Sequence, residues 1–198
     1  MFDNLRADFA RYRGDRKRMI EQTGWGKWVW LQNVRVLLSL TIWSVISYRF
    51  SHWVYKMRVP VVKQILNLVA LVFQKWVELW TACHLCREAE IGPGLLIHSP
   101  YSIGIGPTTV GKNCTVGMGV LITGGAKGIG DNVYFGPGAK VIGNTKVGNN
   151  VVVAANSLVI TDVPDNATVI GVPARIMPGG QPKRFPTDKP VEISRTTA

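Results

Sequence analysis

Acidic residues, histidines and cysteines are all scarce in this chain of 198 residues, which carries 12 Asp and Glu against 23 Lys and Arg, with three His and three Cys. Three thiols cannot supply the disulfide framework of a small secreted protein. Cys83-His84-Leu85-Cys86 is a C-x-x-C without a second ligand pair, so it reads as structural and no metal is expected. Long apolar runs are missing too. Only 13 uncharged residues separate Arg35 from Arg49, and 11 separate Lys63 from Lys75, against the roughly 20 that a membrane-spanning helix needs. The first 20 residues are densely charged and hold no continuous apolar core, so no secretory leader is expected and the setting is read as cytoplasmic. Tryptophan is absent after Trp80.

What is there is a ladder. Ile91, Ile97, Ile103, Val110, Val116, Ile122, Ile129, Phe135, Val141, Val147, Val153 and Val159 recur every six residues, apart from two steps of seven. A helix repeats near 3.6 and a strand near 2, so neither explains it. Three hexapeptides closing one triangular coil do, with stacked coils burying a core that no single coil could bury. The fourth position after each rung is mostly small or branched (Cys114, Val120, Ala126, Val133, Ala139, Thr145, Val151, Ser157) and can share the narrow interior. Many rungs precede a glycine (Gly92, Gly111, Gly117, Gly130, Gly136, Gly148), which is expected to turn each corner at positive φ.

Three regions follow: a Trp-rich basic helical part over 1–90, the solenoid over 91–176, and an irregular tail over 177–198 rich in Pro and Gly. All seven Trp and fourteen of the 23 Lys and Arg fall in the first. Helices are expected over 34–50 and 61–80, parted by Lys56-Met57-Arg58 and Pro60. Apolar helices edged by Trp and cations suit peripheral contact with the inner face of a cell membrane through residues 25–80. Packing against counterparts in an oligomer is the alternative. No nucleic-acid motif accompanies the positive charge, so no nucleic-acid partner is expected.

The repeats, together with Asp131-Asn132-Val133, Ala155-Asn156-Ser157-Leu158-Val159, Asp162-Val163-Pro164 and Gly171-Val172-Pro173-Ala174-Arg175, resemble the hexapeptide-repeat acyltransferases. The likeness is greatest to the serine acetyltransferase branch, which includes O-acetyltransferases of bacterial exopolysaccharides. The stretch from Ser47 to Tyr55 is similar to a basic-aromatic run before the repeats in the polysaccharide-modifying members. The resemblance implies a mainly β protein, a left-handed parallel β-helix preceded by helices. It further implies a homotrimer with acetyl-CoA lying between neighbouring prisms. The pantetheine arm would run along Gly136, Gly138, Ala139, Ala155 and Ser157, with Lys140 and Arg175 facing the CoA phosphates.

Transfer of an acetyl group to a hydroxyl needs a base, and histidine is the natural choice because its unperturbed pKa lies near about 6.5. Only His98 lies in the repeats, one residue after a rung, so its side chain should point outward. A zinc site of three histidines on the solenoid is excluded by the same count. Aligning the rungs without gaps puts Ser99 where the family carries its catalytic histidine, with His98 beside it. The family's second histidine, in an Arg-His-Pro loop, falls where this chain has Gly125-Ala126-Lys127-Gly128. His98 as base, oriented by Tyr101 or Ser99, is one reading; a base outside the repeats such as His84 is another, and a scaffold without activity a third. The leading expectation is acetylation of a sugar hydroxyl in a cell-envelope or exported polysaccharide, on a saccharide or lipid-linked saccharide acceptor. The alternatives are serine O-acetylation for cysteine biosynthesis and a non-catalytic trimer.

Overall fold

The computed structural model describes residues 2–23 and 39–177. Three helices, α1 (Phe2–Thr23), α2 (Leu40–Lys56) and α3 (Pro60–Thr81), precede fifteen short strands from β1 (Cys83–Leu85) to β15 (Arg175–Ile176). Between them lie β2 (Glu90–Ile91), β3 (Leu96–Ile97), β4 (Ile103–Ile105), β5 (Thr109–Val110), β6 (Thr115–Val116), β7 (Leu121–Ile122), β8 (Gly128–Ile129), β9 (Tyr134–Phe135), β10 (Lys140–Val141), β11 (Lys146–Val147), β12 (Val152–Val153), β13 (Leu158–Val159) and β14 (Thr168–Ile170). The strands stack into three sheets in the orders β1-β4-β7-β10-β13, β11-β8-β5-β2 and β15-β14-β12-β9-β6-β3. Every pairing is parallel except β14 with β15, which folds back and covers the end of its sheet. This is a left-handed parallel β-helix of about five coils. Left-handed crossings are rare between ordinary strands. Here most strands are two residues long and accumulate too little twist to impose the usual hand.

The ladder is the core. All twelve rung residues are buried, from Phe135 and Val116 at 0% exposure to Ile129 at 5%, and so are the eight smaller partners from Cys114 to Ser157. The two steps of seven, after Ile103 and after Ile122, fall one coil apart and stack. Pro107 lies against Gly124, where an added Cβ would come within 2.7 Å of its ring.

The glycines after the rungs are required, but not for positive φ. The left-handed corners are occupied instead by Asn113, Asn132, Asn150, Asn156 and Asn166, together with Gly94, Gly119, Gly138 and Gly143. Asn132, Asn150 and Asn166 also link into a side-chain ladder, with bonds of 3.1 and 3.0 Å. Gly92, Gly111, Gly130 and Gly148 form a column in which each backbone rests on the next. A Cβ on Gly130 would lie 2.6 Å from the Gly148 carbonyl. Gly130→Ala is therefore expected to cost about 1–3 kcal/mol through overpacking, read as a lowered thermal midpoint.

α1 falls within the helical region expected over 1–90, although no helix was placed at these residues, and it turns out to be central. Its residues Asp8, Arg11 and Tyr12 are buried and close the open edge of the first coil, where a sheet would otherwise expose unpaired backbone groups. Tyr12 Oη accepts the Ile97 N–H at 2.9 Å, and Asp8 accepts those of Gly94 and Leu95 at 2.8 and 2.9 Å. Arg11 donates to the Gly94 carbonyl and to Thr115 Oγ1. α2 does the same for the second face. Tyr48 Oη accepts from the Ile91 N–H and donates to the Ala89 carbonyl, while Arg49 donates to the carbonyls of Ile91 and Gly92. α3 serves the third, with Gln74 donating to the Leu85 carbonyl and Thr81 accepting from the Cys83 N–H. Each face is thus capped by its own helix.

The helix expected over 34–50 is observed as α2, running to Lys56; residues 34–38 lie outside the described residues, as do Trp25, Trp28, Trp30 and the tail beyond Met177. α3 starts with Pro60 at its first turn and ends on Ala82 in the left-handed conformation. One side of α3 packs on α2, and the other leaves Ile65, Leu68, Val72, Trp76, Leu79 and Trp80 more than half exposed. Among the described residues no helix is long and apolar enough to cross a membrane.

Candidate active site

His98 follows β3 (Leu96–Ile97), whose Ile97 is buried; alternation turns the imidazole outward while the His98 N–H holds the Val116 carbonyl at 3.1 Å. Its partner comes from α1. Asp8, Arg11, Tyr12 and Asp15 share one helix face at spacings of three and four, and the first three anchor that face to the first coil. This brings Asp15 Oδ2 to 3.9 Å from His98 Nδ1, with the carboxylate side chain 14% and the imidazole 32% exposed. A closure of about 1 Å would make this a hydrogen bond, the tightening that catalytic pairs undergo when substrate binds. At hydrogen-bond distance a carboxylate at Nδ1 would favour the tautomer that leaves Nε2 unprotonated.

Ser99 and Tyr101 do not take the orienting role expected of them. Ser99 is half-buried and Tyr101 is half exposed, and no hydrogen bond joins either to His98 among the described residues. Asp15 is the residue that sequence reasoning missed. Its signal was the polar stripe of α1, legible only once that stripe is known to face the solenoid.

The residues expected along a pantetheine arm lie on later coils. Ala139 and Ser157 turn their side chains into the core, at 0% and 1% exposure, and Ser157 Oγ accepts from the Gly171 N–H. The N–H groups of Gly136, Gly138, Ala139 and Ser157 already donate to carbonyls of the solenoid. Of the five, only the Ala155 N–H has no such partner among the described residues. Small size rather than free donors is what this strip offers a ligand. Lys140, on β10, and Arg175, on β15, are exposed on two different sheets.

His84 makes the shorter carboxylate contact. Its Nδ1 lies 2.7 Å from Glu78 Oε1, and Lys75 holds the other carboxylate oxygen at 2.7 Å. Partial burial pushes Glu78 up, but hydrogen bonds from Lys75 and His84 and their charges together hold its carboxyl below the usual range. Cys83 and Cys114 are buried and are not reactive centres. Burial pushes the Cys83 and Cys114 thiols up to about 12 each, and all three cysteines are free.

Comparison with known proteins fits this architecture. Residues 128–161 match the model of the bacterial transferase hexapeptide (six repeats). A serine acetyltransferase of Synechococcus elongatus is 34% identical over 142 residues, 68% of this chain and 55% of its own length. The serine acetyltransferase of Staphylococcus aureus is likewise 34% identical over 68% of this chain, and 63% of its own length. The chain belongs to the hexapeptide-repeat acyltransferase family, in its serine acetyltransferase-like branch. The crystal structure of serine acetyltransferase from Brucella abortus superposes with a TM-score of 0.69 at 26% identity, covering 88% of this chain and 68% of that one. A serine acetyltransferase in complex with CoA gives a TM-score of 0.59 at 26% identity, with the same coverage. The chain therefore spans between about half and two thirds of the length of these curated relatives.

Proposed function

We propose that this chain is an O-acetyltransferase using acetyl-CoA as donor and serine as acceptor, with His98 as general base and Asp15 as its positioning residue. The observation that carries the reading is an outward histidine beside a carboxylate, on a solenoid whose relatives are serine acetyltransferases. His98 Nε2 takes the proton as the serine oxygen attacks the thioester carbonyl. The imidazolium returns that proton to the departing thiolate, so the products are O-acetylserine and CoA. Binding of CoA by a structural neighbour supports the donor, and a homotrimer would give each prism the partner face that forms the groove.

A sugar hydroxyl is the second reading for the acceptor, favoured by the exposed apolar face of α3, which suits a lipid-linked substrate at a membrane surface. Isothermal titration with acetyl-CoA, alongside thiol release with L-serine or with glycans, separates the two. Release that depends on serine is expected. Release with a glycan alone transfers the acceptor to the second reading, and no binding at about 1 mM acetyl-CoA removes the transferase in favour of a scaffold.

A further inference from the structure

A cavity of about 240 Å³ opens between α2, α3 and β1, lined in part by Ser51, Asn67, Gln74, His84, Arg87 and Glu88. It is built by other elements than α1 and β3, which carry Asp15 and His98. Four features of its wall point to a polar occupant. Ser51 is 2% exposed and its Oγ has no hydrogen-bond partner among the described residues, an arrangement that costs free energy unless something fills it. Asn67, on α3, is half-buried and makes no hydrogen bond among the described residues. Glu78 holds the ring of His84 by Nδ1 and leaves Nε2 uncommitted.

The fourth feature is the charge at the mouth. Glu78 is saturated by Lys75, His84 and Gln74. Arg87 and Glu88 are exposed and neither has an ion-pair partner among the described residues. Stacking over Tyr55, at 5.7 Å from the ring centroid, holds the Arg87 guanidinium in place. A fixed guanidinium and a free carboxylate on adjacent residues complement a zwitterion better than a simple anion or amine, because either alone would leave one charge facing its like. The cavity volume limits that zwitterion to a small one.

We infer that this cavity is a binding site for a small α-amino acid, whose carboxylate meets Arg87, whose ammonium group meets Glu88, and whose side chain reaches the Ser51 and Asn67 end. Occupation ties α3 to the first coil through a ligand rather than through protein contacts alone. Only the choice of L-serine as a probe draws on the function proposed above.

The test is titration of the full chain with L-serine, L-alanine and acetate, followed by NMR of the histidine ring signals and assigned with His84→Gln. L-serine and L-alanine are expected to shift the His84 signal saturably. Acetate alone, Arg87→Ala and Glu88→Gln should each weaken the response by ~10-fold or more. Acetate acting as well as the amino acids would reduce the site to a plain anion site and overturn the proposal. So would a His84 signal unmoved at about 10 mM L-serine. The two proposals fail separately. Turnover without a His84 response leaves the transferase and removes this site, whereas a saturable His84 response in an unsubstituted chain that releases no CoA with serine does the reverse.

Discussion

Arg49→Ala is expected to lower the free energy of unfolding by about 3–5 kcal/mol, the cost of removing one partner of a buried ion pair. Arg49 is 3% exposed and Asp8 0%, and the guanidinium grips the carboxylate through Nε at 2.9 Å and Nη2 at 3.2 Å. The same guanidinium also satisfies the carbonyls of Ile91 and Gly92. Its removal therefore orphans two acceptors on the edge of the first coil and leaves Asp8 charged in a site where burial already pushes its carboxyl above the ordinary value. Chemical denaturation of the variant gives the number. Arg49→Lys should fall between, because an ammonium keeps the charge but cannot form the fork. A loss below about 1 kcal/mol in Arg49→Ala would mean that the helices merely lie against the solenoid rather than closing its edge.

That edge also explains what was legible in the sequence and what was not. The β-helix could be read because its repeat is nearly one-dimensional: each rung meets the same neighbours one coil away, so period alone identifies the inside. Glycine was picked out at the right positions for the wrong reason, since a run of letters cannot distinguish a residue that needs positive φ from one pressed against the backbone of the next coil. α1 was hidden because amphipathic reading looks for an apolar stripe on the buried face, whereas here that face carries Asp8, Arg11 and Tyr12. Tyr48 and Arg49 belong to the basic-aromatic run likened to one in the polysaccharide-modifying members, and both turn into the fold to cap backbone groups. The exposed side of α3 keeps the composition that suggested an interface. The site divides in the same way. Alternation after Ile97 places His98 outward, but its carboxylate partner lies 83 positions earlier on the helix that periodicity did not reveal.

His98→Ala should lower acetyl transfer by on the order of 10²-fold or more while leaving acetyl-CoA affinity nearly unchanged, the signature of a lost general base rather than a lost binding group. Steady-state rates paired with titration of the donor measure both halves. Asp15→Asn should cost less, about 10-fold in kcat with little change in KM, because the amide keeps the shape but cannot stabilise an imidazolium. A purely structural role for Asp15 would lower the thermal midpoint and leave kcat of the folded protein unchanged. Full turnover in His98→Ala would transfer the base to His84, whose carboxylate contact is the shorter at 2.7 Å against 3.9 Å. In that case Glu78→Gln, not Asp15→Asn, would carry the loss in kcat, and the acceptor would have to be sought in the cavity between α2, α3 and β1.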